Sequence, residues 1–122
     1  MINRLKYCAR CRDNYPFAGV KTMSNKEIAI YDCALELWGH ESQIDMTIEE
    51  CAELIQALMK YRRKQGDHDE ALESVIEEIA DVEIMLGQMK VLFDFQGNKV
   101  EYAKRRKLRR LEEMIYDAKG EG

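Results

Sequence analysis

The sequence predicts an all-α protein folded as an antiparallel four-helix bundle, and three observations support this. Apolar residues recur at helical spacing over most of the chain that follows residue 23. The 122 residues include one proline, Pro16, and 34% of them are charged, a composition that favours helices. The connections between the periodic segments are short, which favours antiparallel neighbours. A chain of this length forms one domain with one core.

The periodic part of the chain is expected to be flanked by two irregular ends. Residues 1–23 show weak periodicity and a turn signal at Asp13-Asn14-Tyr15-Pro16 that continues to Gly19, so we expect a partly extended arm. Residues 24–118 form the helical domain, and residues 119–122 are expected to be a disordered tail. The arm carries a C-x-x-C pair, Cys8 and Cys11. A zinc site needs two further ligands at matching spacing, so incidental thiols, or a partial site completed by another subunit, are the favoured alternatives.

Helix 1 is predicted to begin at a capping box formed by Ser24 and Glu27 and to end at Gly39. A polar loop, residues 40–45, then leads to helix 2, and either Asp45 or Thr47 can cap that helix. The apolar positions of helix 1 are Ile28, Tyr31, Leu35 and Trp38.

Helix 2 is predicted to end at Gly66, and helix 3 begins at Asp67 or Asp69 and reaches about Phe95. Helix 4 runs from Lys99 to about Ala118. The apolar stripes expected to form the core of helices 2 and 3 are Ile48, Cys51, Leu54, Ile55, Leu58 and Met59, followed by Leu72, Val75, Ile76, Ile79, Val82, Ile84, Leu86 and Met89.

The charge distribution is strongly uneven although the net charge is only −4. Residues 27–98 contain 17 acidic against 5 basic residues, whereas residues 99–110 contain 7 basic residues and one acid. An acidic middle beside a basic last helix suits a metal bound to a phosphorylated ligand. The alternative is that both runs are solvated helix faces. The apolar face of helix 4 is narrow, so we expect this helix to pack at the edge of the bundle or against a second subunit, in a homodimer or homotetramer.

The sequence also bears on location. It contains no run of about 18 apolar residues and no apolar segment typical of a secretory signal. We therefore expect a cytoplasmic protein with reduced thiols that does not enter a membrane. Cys33 and Cys51 are expected to act as small residues of the helix packing.

Two pairs of acidic residues form the most informative pattern. Glu50 and Glu53, like Glu78 and Asp81, are three positions apart, which places each pair on one face of a helix. The pairs are symmetric about Gln65-Gly66, so a chain reversal there brings them opposite each other. Carboxylates that meet between helices repel each other and are costly to desolvate. A divalent cation removes this cost, and oxygen ligands suit Mg²⁺ or Mn²⁺.

Two other interpretations of these acidic pairs fit the sequence less well. Acidic residues at this spacing are common on exposed helix faces, but here each pair adjoins an apolar stripe. A di-iron site requires Glu-x-x-His on two helices. The residues three positions before His40 and His68 are Leu37 and Gln65, so the sequence excludes that class of site.

Several motifs resemble the MazG-like branch of the all-α nucleoside triphosphate pyrophosphatases. They are Leu37-Trp38-Gly39, Gln43, the E-E-x-x-E motif Glu49-Glu50-Cys51-Ala52-Glu53, and the E-x-x-D motif Glu78-Ile79-Ala80-Asp81. The resemblance covers roughly residues 25–115. It implies a MazG-like helical bundle that hydrolyses nucleoside triphosphates between the α and β phosphates, which gives the monophosphate and pyrophosphate.

The resemblance also implies roles for particular residues. It implies Mg²⁺ as the cofactor, with Mn²⁺ as a substitute, and Glu50, Glu53, Glu78 and Asp81 as the metal ligands. Glu50 and Glu49 are the candidate catalytic residues, although Glu49 fits equally well as a dipole partner in the first turn of helix 2. The candidate substrate contacts are Trp38, Gln43, Asn98, Lys99, Tyr102, Lys104, Arg105 and Lys107. For two of these residues a structural role is the alternative to a substrate contact: Trp38 can belong to the core, and Asn98 can cap helix 4.

The sequence leaves two other functions open. The first is a non-catalytic helical module that uses the basic last helix to bind nucleic acid or a protein partner. The acidic middle of the chain argues against nucleic acid. The second is a structural bundle that binds no metal.

Overall fold

The computed structural model describes residues 23–64, 66–94 and 98–120. Within these residues the chain forms helices and no strands, so the all-α prediction is confirmed. Neither the arm with Cys8 and Cys11 nor the predicted end of helix 3 at Phe95 lies within the described residues. No described helix is both long and apolar enough to cross a membrane. The four helices are α1 (Asn25–Trp38), α2 (His40–Arg62), α3 (His68–Phe93) and α4 (Lys99–Gly120).

The first helix begins and ends as its sequence predicts. The Ser24 hydroxyl accepts a hydrogen bond from the Glu27 N–H at 3.1 Å, and the Ser24 N–H donates to Glu27 Oε1 at 3.3 Å. These reciprocal bonds complete the capping box. At the other end, the Gly39 N–H donates to the Leu35 carbonyl at 3.0 Å, and Gly39 has a φ of 90° that favours glycine.

The predicted polar loop between α1 and α2 is absent, because α2 begins at His40. Gly39 turns the chain in a single residue, and its carbonyl already accepts the Gln43 N–H at 3.2 Å. The predicted caps Asp45 and Thr47 are therefore wrong. Both lie inside α2, and the Thr47 hydroxyl donates to the Gln43 carbonyl at 2.8 Å. Polar composition suggested a loop, but no residue between His40 and Asp45 breaks a helix.

The connection between α2 and α3 is short and uses two residues with positive φ, Lys64 at 56° and Gly66 at 75°. Asp67 caps α3, since its side chain accepts the Asp69 N–H at 2.8 Å. Of the two predicted caps, Asp67 is thus confirmed and Asp69 lies in the first turn. Next to this connection the rings of Tyr61 and His68 are in contact, with centroids 5.3 Å apart.

The buried core lies where α1 packs against the C-terminal part of α3. Ile28, Tyr31 and Leu35 from α1 form one cluster with Val91 from α3. The ring of Tyr31 lies against the backbone of α3 at Gly87, where any β-carbon would collide with it. The most extensive contact between helices joins α2 and α3, and α1 packs on both of them.

The fourteen stripe residues of α2 and α3 were expected in the core, and this is wrong, because nine are exposed and five are half-buried. Ile48 is 63% exposed, and the buried apolar residues of these helices are instead Ala57, Met85 and Val91. The three packed helices bury only one side of each stripe, and the opposite side has no partner among the described residues. The exposed stripe residues are Ile48, Ile55, Leu58, Met59, Leu72, Ile76, Ile79, Ile84 and Leu86.

The last helix begins at Lys99 as predicted, but it continues through Gly120, so residues 119 and 120 belong to the helix. Its cap is Asp94, whose carboxylate accepts the Lys99 N–H at 3.2 Å and the Val100 N–H at 2.9 Å. Asn98, the sequence-based candidate for the cap, contributes its backbone carbonyl to the Tyr102 N–H. None of the residues of α4 is buried.

The two cysteines within the described helices differ. Cys33 is buried in α1, as expected for a packing residue. Cys51 of α2 is half-buried and carries a free thiol.

Candidate metal centre

Three carboxylates from two helices meet at one point of the fold. Glu50 of α2 and Glu78 and Asp81 of α3 each offer one oxygen, and these oxygens all lie within 4.8 Å of one another. Glu78 and Asp81 share a face of α3 because they are three residues apart. The contact between α2 and α3 brings Glu50 onto that face. The sequence symmetry therefore identified residues that do meet in space.

Two of these carboxylates are only partly open to solvent. Glu50 and Glu78 are both half-buried, and the Oε2 atom of each is inaccessible to water. Neither of these two atoms has a hydrogen-bond partner among the described residues. A buried acceptor without a donor destabilises the fold, so native proteins rarely leave one unsatisfied. The two oxygens thus need a proton or a cation.

The electrostatic environment raises the pKa of both half-buried carboxyls above the ordinary value of 4.5. Desolvation makes the largest contribution to each, because it penalises the charged form. Repulsion follows: Glu53 and Asp81 raise the pKa of both carboxyls, and Glu78 also raises that of Glu50. Since no basic side chain of the described residues lowers either pKa, the site favours neutralisation by a bound proton or cation.

Glu53 and Glu49 lie at the edge of this cluster. Glu53 is exposed, and its oxygens are not among those within 4.8 Å, although it is close enough to raise the pKa of Glu50 and Glu78. Glu49 is also exposed on α2. The structure thus assembles three of the four predicted ligands in one cluster and places the fourth beside it.

The candidate substrate contacts from the first half of the chain differ in exposure. Trp38 ends α1 and is 59% exposed, so the alternative that it belongs to the core is wrong. Gln43 is buried in the first turns of α2, with only 4% of its surface exposed.

The remaining candidates lie at or near the start of α4. Asn98 is half-buried and Tyr102 is 61% exposed. Arg105 forms an ion pair with Glu101, with Nε 3.9 Å from Oε1. Lys99, Lys104 and Lys107 are exposed cations. A contact of any of these residues with substrate stays a prediction.

Two buried polar residues, Asp32 of α1 and Gln88 of α3, were missed in the sequence. Gln88 of α3 is 5% exposed, its Nε2 lies 3.7 Å from Met85 Sδ, and its buried Oε1 has no partner among the described residues. The burial of Gln88 could have been predicted from its spacing, because position 88 falls three residues after Met85 and three before Val91, on the core face of α3.

Comparisons with known proteins find no match among protein-family models, curated proteins or solved structures.

Proposed function

We propose that this protein is a Mg²⁺-dependent nucleotide pyrophosphohydrolase that cleaves nucleoside triphosphates between the α and β phosphates. The products are the monophosphate and pyrophosphate. In this proposal α2 and α3 form an antiparallel pair within a MazG-like bundle. The protein is a homo-oligomer and is located in the cytoplasm. The observation that carries it is the cluster of Glu50, Glu78 and Asp81, whose oxygens lie within 4.8 Å of one another.

The donor set fits a hard divalent cation. All three side chains supply carboxylate oxygens, which are the ligands that Mg²⁺ and Mn²⁺ take in proteins. The unpartnered Oε2 atoms of Glu50 and Glu78 give a cation two acceptors that no described side chain satisfies. Glu53 can complete the set from the exposed edge of the cluster. A bound Mg²⁺ ion would supply positive charge for a triphosphate and lower the pKa of an attacking water.

The chain's own residues contribute binding and orientation. Exposed Trp38 offers a ring face on which a base can stack. Lys99, Lys104, Arg105 and Lys107 supply cations for the phosphates, because all four lie on the basic and exposed part of α4. Gln43 is buried, so a contact with the base requires a pocket that reaches into α2.

Glu49 is the candidate for orienting the attacking water. It lies next to Glu50 in the sequence, about 100° around the helix, and is therefore directed away from the ligand face. The alternative interpretation, in which Glu49 stabilises the helix dipole, has less support. α2 begins at His40, so Glu49 does not lie in the first turn of this helix.

The proposal is tested by measuring pyrophosphate release from a panel of ribo- and deoxyribonucleoside triphosphates with Mg²⁺. We expect Glu53→Gln and Asp81→Asn each to lower kcat/KM by at least tenfold. Glu77→Gln is the matched control, since Glu77 is an exposed neighbour of Glu78 outside the cluster. Unchanged activity in both ligand variants would rule out the metal mechanism, and release of orthophosphate alone would place the cleavage elsewhere.

A second candidate function is binding of nucleic acid through α4, which has no buried residue and is basic in its first half. It predicts tight, steeply salt-dependent binding of DNA or RNA without hydrolysis.

A further inference from the structure

The last helix is long, but no other described helix covers its apolar side. It has 22 residues, Lys99–Gly120, and none of them is buried. Most helical stability in proteins comes from packing an apolar face rather than from the intrinsic propensity of the residues. α4 has such a face. Leu108, Leu111 and Ile115 recur at spacings of three and four residues, and each is about half exposed.

The charges of α4 are divided between its two halves. Residues 104–110 contain six cations and no acid, whereas residues 111–118 contain three acids and no cation. The apolar stripe crosses this boundary, with Leu108 in the basic half and Leu111 in the acidic half. A partner that covers the whole stripe must therefore present negative charge to one half and positive charge to the other.

We propose that α4 pairs in antiparallel orientation with α4 of a second copy of this chain. In a pairing over the full helix length, the acidic half of each helix meets the basic half of the other. Leu108 lies as far from Lys99 as Leu111 lies from Gly120, so Leu108 packs beside the partner's Leu111. A parallel pair places the six cations of each copy side by side and is strongly disfavoured.

The charges that flank the stripe agree with this register. Arg105 and Glu112 are seven residues apart and therefore lie on the same side of the stripe. In the antiparallel pair Arg105 of each copy approaches the partner's Glu112, which produces two equivalent ion pairs. This two-fold relation is the usual symmetry of homodimers.

Other occupants fit the same face less well. The α2–α3 surface of a second copy is apolar and acidic, which suits the basic half of α4 but repels Glu112, Glu113 and Asp117. Nucleic acid likewise attracts only the basic half, and it leaves the apolar stripe in water. The self-pairing of α4 does not depend on the proposed enzymatic activity.

The test is the molar mass of the full chain in solution, measured by light scattering after size exclusion, for wild type and three charge-reversed variants. One variant carries Glu112→Lys, Glu113→Lys and Asp117→Lys. A second carries Arg105→Glu, Arg106→Glu and Arg109→Glu, and a third combines all six changes. The matched control reverses three exposed acids of α1 and α2, with Glu36→Lys, Glu41→Lys and Asp45→Lys.

We expect wild type and the control to have at least twice the 14.3 kDa mass of one chain. Each triple reversal in α4 halves the mass of the assembly, because it places like charges at position 105 and at the partner's position 112. The combined variant restores the assembly, because both positions are then reversed and the ion pair between them forms again with its charges exchanged. The restored assembly also shows that the reversed helix folds. A monomeric wild type overturns the proposal. The proposal is also overturned if the assembly keeps its mass after the reversal of Glu112, Glu113 and Asp117, since that result indicates docking on the acidic α2–α3 surface. A combined variant that stays dissociated contradicts the proposal as well.

Discussion

Glu50 of α2 and Asp81 of α3 are separated by the whole connection between their helices, yet their carboxylate oxygens lie within 4.8 Å of each other. With Glu78 they form a cluster whose charge is not compensated by any basic side chain that contributes to its pKa values. An arrangement of this kind destabilises the protein unless something binds there.

The first prediction concerns the stability of the protein without metal. We expect Glu78→Gln to raise the Tm in EDTA at neutral pH by on the order of a few degrees, because it removes repulsion and a desolvated charge. The same variant should lose the rise in Tm that Mg²⁺ gives to wild type. Thermal unfolding followed by circular dichroism measures both effects. Glu77→Gln serves as the control and should match wild type in both conditions.

The second prediction concerns pH. The pKa of Glu50 and that of Glu78 are raised in the folded state, so above the ordinary value of 4.5 the folded protein binds more protons than the unfolded chain. The stability of the metal-free protein should therefore fall as the pH rises from 4.5 through the raised pKa values. With Mg²⁺ present the trend reverses, because the ligands bind the cation only when deprotonated.

Thermal unfolding at a series of pH values, with EDTA and with Mg²⁺, measures this dependence. The double variant Glu50→Gln with Glu78→Gln should show a flatter pH profile in EDTA. If the double variant and wild type have the same pH profile in EDTA, the raised pKa values do not belong to Glu50 and Glu78.

The third prediction concerns the packing of α1 on α3. Gly87→Ala should destabilise the protein by about 1–3 kcal/mol, because a β-carbon would lie 2.7 Å from Tyr31 Cζ. Urea unfolding measures this change. Gly120→Ala is the matched control, since that position has open space around it. In a Tyr31→Ala background the cost of Gly87→Ala should largely disappear, and a cost that persists there would show that the ring is not responsible.

The fourth prediction compares two candidate caps of α4. Asp94→Ala should lower the helix content, and it should lower the free energy of unfolding by about 1 kcal/mol, because the Asp94 carboxylate accepts the Lys99 and Val100 N–H groups. Asn98→Ala should have a smaller effect, since the Asn98 contact with Tyr102 uses the backbone carbonyl. The two variants compared by circular dichroism test which residue caps the helix, and a larger effect for Asn98→Ala would contradict the structure.

The helices and the acidic cluster were predictable because their signals are local. The capping box at Ser24, Gly39 at the end of α1 and the Asp67 cap each follow from chemistry within a few residues. The cluster followed from two i, i+3 pairs placed symmetrically about one turn.

The misjudged features depend on distant packing. Polar residues 40–45 joined α2 because Gly39 alone suffices for the turn, and Asp94 caps α4 from several residues away. The apolar stripes of α2 and α3 were expected in the core, but periodicity records only that a face is apolar. It does not show whether this chain or another molecule covers that face, and here Ile48 and Ile76 stay exposed.

The most direct test of the metal centre is a titration of the full chain with Mn²⁺, followed by electron paramagnetic resonance, with Mg²⁺ as competitor. We predict that wild type binds Mn²⁺ and that Mg²⁺ displaces it. Loss of a hydrogen-bond partner of a metal ligand weakens metal binding by roughly 10–100-fold. Asp81→Asn changes a ligand itself, so it should weaken Mn²⁺ binding by at least this factor. Glu77→Gln should bind like wild type. Wild-type protein that binds no Mn²⁺, or Asp81→Asn protein that binds it equally well, would contradict the assignment of Glu50, Glu78 and Asp81 as a metal centre.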